Sequence, residues 1–97
     1  MSEAITTARP YAQAAFDEAK KLKALPAWSE VLSSLSEAVN HPDVRAIVTN
    51  PRIAKKQVEG LMEALIGKDA SAQQRNFVRV LADNQRLLVL PEIAALF

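Results

Sequence analysis

A chain of 97 residues with 49% apolar and 24% charged side chains is composed like one globular domain, which excludes a disordered chain. It has no cysteine, which excludes disulfides and thiolate metal sites, and only two glycines, Gly60 and Gly67, which excludes a glycine-rich phosphate loop. Twelve Lys and Arg against eleven Asp and Glu leave a net charge of +1, a small surplus for a protein that works by neutralising phosphates.

The first helix is expected from about Ala4 to Lys23. On a helical wheel Ile5, Ala8, Ala12, Phe16 and Ala19 share a stripe. Tyr11, Ala15 and Leu22 widen it on one side, and Ala14 lies beyond them. Pro10 falls inside this pattern, so either the helix starts near Arg9 or a longer helix bends there. Lys20, Lys21 and Lys23 complement the negative end of the helix dipole. Leu25-Pro26 then opens a second helix, with Trp28, Val31, Leu32, Leu35, Ala38 and Val39 at amphipathic spacing. Trp28 leads that stripe and is expected to be buried. Asn40-His41-Pro42-Asp43 breaks the pattern. A short third helix from Pro42 to about Thr49 turns Val44, Ile47 and Val48 inward, and Asn50-Pro51 ends it.

The fourth helix is expected from about Arg52 or Ala54 to Ile66, with Ala54, Val58, Leu61, Met62 and Leu65 as its apolar stripe. Gly67 stands where a left-handed C-terminal cap belongs. Ser71 with Gln74 three residues on is a capping box for the fifth helix. That helix carries Phe77, Val78, Val80 and Leu81, pairs Arg79 with Asp83, and ends near Asn84. A sixth begins around Leu87 or Leu88, with Pro91 in its first turns. No strand pattern competes. The expected fold is all-α, a six-helix bundle with short loops, forming a single helical domain over 1–97.

No apolar run reaches the ~20 residues that span a bilayer. The opening Met1-Ser2-Glu3-Ala4-Ile5 lacks the basic and then apolar pattern of a secretory signal. A soluble intracellular domain is the first reading. From the apolar ending Ala94-Ala95-Leu96-Phe97 the chain is expected to be a piece cut from a longer protein.

The residues offer little for catalysis. His41 is the only histidine, sits in a helix break and reads as a turn or cap residue. No catalytic partner motif accompanies it. The carboxylates alternate with lysines and arginines like a solvated face, and no cluster has metal-ligand spacing. No cofactor and no metal are expected. Nucleic-acid binding rests on Arg75, Arg79 and Arg86 as a basic stripe, interrupted by Asp69, Asp83 and Glu92. Membrane-surface binding by the first helix is opposed by Glu3, Asp17 and Glu18 among its lysines. The apolar arc of that helix is wider than one core contact requires. Tyr11, Ala14 and Ala15 on its far side leave room for a partner's amphipathic helix, or the alanines are there simply as good helix formers.

The segment Thr7-Ala8-Arg9-Pro10-Tyr11-Ala12-Gln13-Ala14-Ala15-Phe16 resembles the opening of the δ subunit of bacterial F-type ATP synthase, the family of the mitochondrial oligomycin sensitivity-conferring protein. Asn50-Pro51-Arg52-Ile53 with Lys55-Lys56 resembles the stretch before that family's fourth helix. The run from Phe77 to Leu87 resembles its fifth helix and following turn. The family often has Gly where Gln85 stands, and Ser or Thr where Ala54 stands.

The resemblance implies the N-terminal domain of a non-catalytic stator subunit, a structural component of the ATP synthase, with a C-terminal domain absent from this chain. It implies that a groove between the first and fifth helices receives the N-terminal helix of an α subunit, linking the catalytic head to the peripheral stalk. The b subunits of the stalk would be held through the missing C-terminal domain. The groove residues expected on this basis are Tyr11, Ala14, Ala15 and Glu18 on the first helix and Asn76, Val80 and Asp83 on the fifth. The domain is expected to be a monomer in isolation, without direct membrane insertion, and to work on the cytoplasmic face of the bacterial cell membrane. A nucleic-acid-binding helical domain is the alternative.

Overall fold

A computed structural model describes residues 3–97. Six helices follow one another: α1 Glu3–Lys21, α2 Leu25–Asn40, α3 Pro42–Thr49, α4 Lys55–Ile66, α5 Ala72–Asp83 and α6 Leu90–Leu96, the last entered through a 3-10 turn at Leu87–Val89. There is no strand among the described residues. The expected all-α six-helix bundle is the observed fold.

Helix α1 runs unbroken through Pro10, so the longer of the two expected helices is the one that forms. Its buried face is Ala8, Ala12, Ala15 and Ala19, while Ile5 and Phe16 are only half-buried. Four alanines at this spacing let another helix come close, because interaxial distance follows the side chains at the contact. α6 takes that place, packed against both α1 and α2. Leu90 and Ile93 of α6 are fully buried between them, and Phe97 meets Phe16 edge to face at 5.8 Å. Of the apolar tail, Ala94 and Phe97 are half-buried, while Ala95 and Leu96 stay exposed. α2 supplies Trp28, Leu32, Leu35 and Val39, α4 supplies Val58 and Met62, and α5 supplies Val78, Leu81 and Ala82. α3 buries none of its residues fully. The bundle measures 38 × 36 × 20 Å, about two helix diameters thick.

The helix ends account for much of the local order. α1 and α5 both close with the Schellman pattern. Ala24 N–H bonds Ala19 O at 2.8 Å across a left-handed Lys23, and Arg86 N–H bonds Leu81 O at 2.8 Å across a left-handed Gln85. That backbone is the one glycine adopts most cheaply. Gly67 ends α4 at φ 91°, ψ 171°. This is not the left-handed cap expected but an extended positive-φ conformation open essentially to glycine alone. The Arg75 side chain donates to its carbonyl at 2.6 Å. His41 caps α3, accepting on Nδ1 from Asp43 N–H at 3.2 Å.

Two helix starts can be compared. At α5, Ser71 Oγ accepts from Gln74 N–H at 3.1 Å and Gln74 Oε1 accepts from Ser71 N–H at 2.9 Å. At α4, Gln57 Oε1 accepts from Ala54 N–H at 3.0 Å, but the Ala54 side chain has no oxygen to return the bond, and Gln57 N–H turns to the Ala54 carbonyl at 3.0 Å instead. Half a capping box is present. Ala54→Ser is expected to complete it and to raise the unfolding free energy by about 1 kcal/mol. A urea midpoint that does not increase would contradict this.

Candidate functional site

A cleft of about 600 Å³ lies between α1 and α5. Its α1 wall is Pro10, Tyr11, Ala14 and Glu18, and its α5 wall is Gln73, Asn76, Phe77 and Val80. Trp28, from the first turn of α2, forms its floor. The Trp28 ring meets Phe77 edge to face, with centroids 5.7 Å apart, and Trp28 is 2% exposed. These two aromatics hold the walls apart by filling the space beneath the cleft. At one end the Asn84 side-chain amide donates to the Tyr11 hydroxyl at 3.0 Å, tying α5 to α1. Val80 is 39% exposed, a large apolar side chain left open to water on the cleft wall. The α1 wall spans nine residues, Pro10 to Glu18, and the α5 wall eight, Gln73 to Val80, a rise of roughly 11–12 Å, two turns of an α-helix.

Of the residues expected at a groove, Tyr11, Ala14, Glu18, Asn76 and Val80 are brought together here. Ala15 is not. It is fully buried, because the core stripe of α1 is centred on its alanines and not on the line from Ile5 to Phe16. Asp83 is not among the lining residues either. It lies round the α5 surface toward α4, where its carbonyl accepts from Lys55 Nζ at 3.1 Å. Sequence reasoning missed Pro10, Gln73, Phe77 and Trp28. Phe77 and Gln73 sit three and seven positions before Val80 and could have been read from the same wheel. Trp28 comes from a third helix and could not.

The charged groups behave differently from expectation. Arg79 reaches Glu63 on α4 at 3.8 Å, in place of the expected pairing with Asp83. Arg75 donates to the Gly67 carbonyl, so two of the three arginines of the expected basic stripe, Arg75 and Arg79, have partners within the domain. Beside Arg79, the Glu59 pKa is raised by a hydrogen bond with Asp83, then by desolvation and by the negative charge of Asp83, with Arg79 opposing. The folded state thus holds the Glu59 proton more tightly than the unfolded chain does. This favours folding at acid pH and is lost as pH rises through the raised value. Glu59→Gln is accordingly expected to stabilise the domain at neutral pH and to change little in acid, as a pair of thermal melts would check.

A second depression, of about 540 Å³, is lined by Leu22, Val31, Leu65 and Ile66, with Glu30 and Asp69 at hand. It is bounded in part by the turns before α2 and α5. The α1/α5 cleft instead runs between two helices. Among the described residues no group of His, Asp or Glu could hold a metal ion, and no helix is long and apolar enough to cross a membrane. The arrangement suits a surface that takes up an apolar face of another chain.

The sequence matches the model of the family described as ATP synthase delta (OSCP) subunit over residues 7–97. It is 43% identical over its full length to the ATP synthase subunit delta of Chromobacterium violaceum, of which it covers 54%. It is 44% identical to that of Alkalilimnicola ehrlichii, covering 55%, and 40% identical to that of Nitrosococcus oceani, covering 54%. The chain thus spans about half the length of these relatives. With a family match that takes in both cleft walls and runs to the last residue, the chain belongs to the ATP synthase delta (OSCP) subunit family.

Proposed function

We propose that this domain is a non-catalytic fastening in the stator of an F-type ATP synthase, and that it receives the amphipathic N-terminal helix of an α subunit in the α1/α5 cleft. The supporting observation is the cleft itself: two turns long, floored by Trp28 and Phe77, with Val80 exposed on its wall. An apolar stripe at i, i+3 or i+4 and i+7 would cover these residues. Held this way, the head would resist the torque of the rotor. The relatives are about twice as long, and the part of them beyond this match would hold the b subunits of the stalk. The domain would then sit peripherally on the cytoplasmic face of the membrane. The nucleic-acid reading is the less supported one, since Glu63 lies against Arg79 and Arg75 is bonded to the Gly67 carbonyl.

A synthetic peptide of the α subunit's N-terminal segment tests the proposal. Trp28 is the only tryptophan, so docking over it should shift its emission saturably. The affinity should change little with salt, since apolar contact carries it, whereas phosphate contacts weaken steeply. No emission change and no amide shifts along the cleft would reject the proposal.

A further inference from the structure

The two ends of the cleft differ chemically, and that difference sets the direction of the helix it takes. We infer that the docked helix lies with its N-terminal end at Glu18 and Gln73 and its C-terminal end at Tyr11 and Asn84. The inference rests on the reading of the cleft as a helix-docking site.

α1 and α5 run in opposite directions along the cleft. Asn84, just after α5, is bonded to Tyr11. Ser71 and Gln74, at the start of α5, share a depression with Leu22 and Ala24, just after α1. The two helix dipoles therefore oppose each other along the cleft and give a docked helix little preferred direction. The side chains at the ends decide.

Glu18 is half-buried on the cleft wall, and its carboxylate has no hydrogen bond or ion pair among the described residues. A helix N-terminus would bring to it about half a unit of positive charge and up to four unbonded N–H groups. At the other end the Tyr11 hydroxyl accepts from Asn84 Nδ2, so its own proton stays available. The second amide hydrogen of Asn84 is a further donor. The last carbonyls of a helix lack partners within it and are the acceptors these donors fit. The reverse placement would set carbonyls against a carboxylate and N–H groups against donors. Each end should favour the stated direction about two- to fivefold.

The test uses the α-subunit peptide carrying a nitroxide label at one end or the other, with amide signals read on the 97-residue chain. The N-terminal label should broaden the amides of Glu18 and Gln73, and the C-terminal label those of Tyr11 and Asn84. The opposite pattern, or equal broadening of both ends by both labels, overturns the direction while leaving the docking proposal standing. Binding that broadens neither end overturns both. Glu18→Gln should weaken the unlabelled peptide two- to fivefold. Unchanged affinity would remove Glu18 from the account.

Discussion

Trp28→Ala is expected to cost about 3–5 kcal/mol of unfolding free energy. The indole is 2% exposed, opens the buried stripe of α2 and meets Phe77 edge to face. Its removal takes away transfer free energy, the aromatic contact and the material between the walls of the cleft. Collapse into the void is hindered, because Leu32 behind it and the alanines of α1 are already fully packed. A domain of this size has about 5–15 kcal/mol in all, so the variant loses a large share of its stability. Denaturant unfolding should show a lower midpoint at an unchanged slope. A midpoint within error of the parent would mean that the ring is not packed as described. Trp28→Phe keeps an aromatic floor and should cost markedly less, which separates loss of volume from loss of the indole.

The second large effect is on binding. Ala14→Arg should weaken the α-subunit peptide by about 3 kcal/mol or more, over a hundredfold, while changing folding by no more than about 0.5 kcal/mol. Ala14 is exposed and lies midway along the α1 wall between Tyr11 and Glu18. The introduced guanidinium can lie toward Glu18 one turn on, but even so its stem occupies the space a docked helix would fill. Val80→Glu tests the facing wall. At 39% exposure Val80 is not a core residue, so it serves as a clean companion probe. Calorimetric titration of both variants against the parent is the check. Parent-like affinity in both would place the helix elsewhere, and an unfolded Ala14→Arg would mean that Ala14 is core.

Much of the fold is legible in the sequence because helix ends are chemically local. Ser71 with Gln74, Pro26, Pro42 and Asn50-Pro51 each act within a turn of themselves, and each marks a boundary the structure keeps. The apolar stripe of α2 is equally plain, because Trp28, Leu32, Leu35 and Val39 are large and admit one reading. α1 is harder. Its buried face is four alanines, and alanine is at home in core and on surface alike. Its larger residues, Ile5, Tyr11 and Phe16, sit at the edges of that face and draw the eye away from its centre. This is why Ala15 looks like groove and is core.

The sequence by itself determined six helices, their order and the two α1 residues, Tyr11 and Ala14, at the edge of an arc too wide for one contact. The tertiary structure decided what meets them. It set Trp28 of α2 beneath the cleft, turned Asp83 toward α4 and matched Arg79 with Glu63. Periodicity orients a side chain about its own helix axis. Which neighbour stands opposite depends on how helices distant in the chain pack together, and that follows from filling the whole core at once.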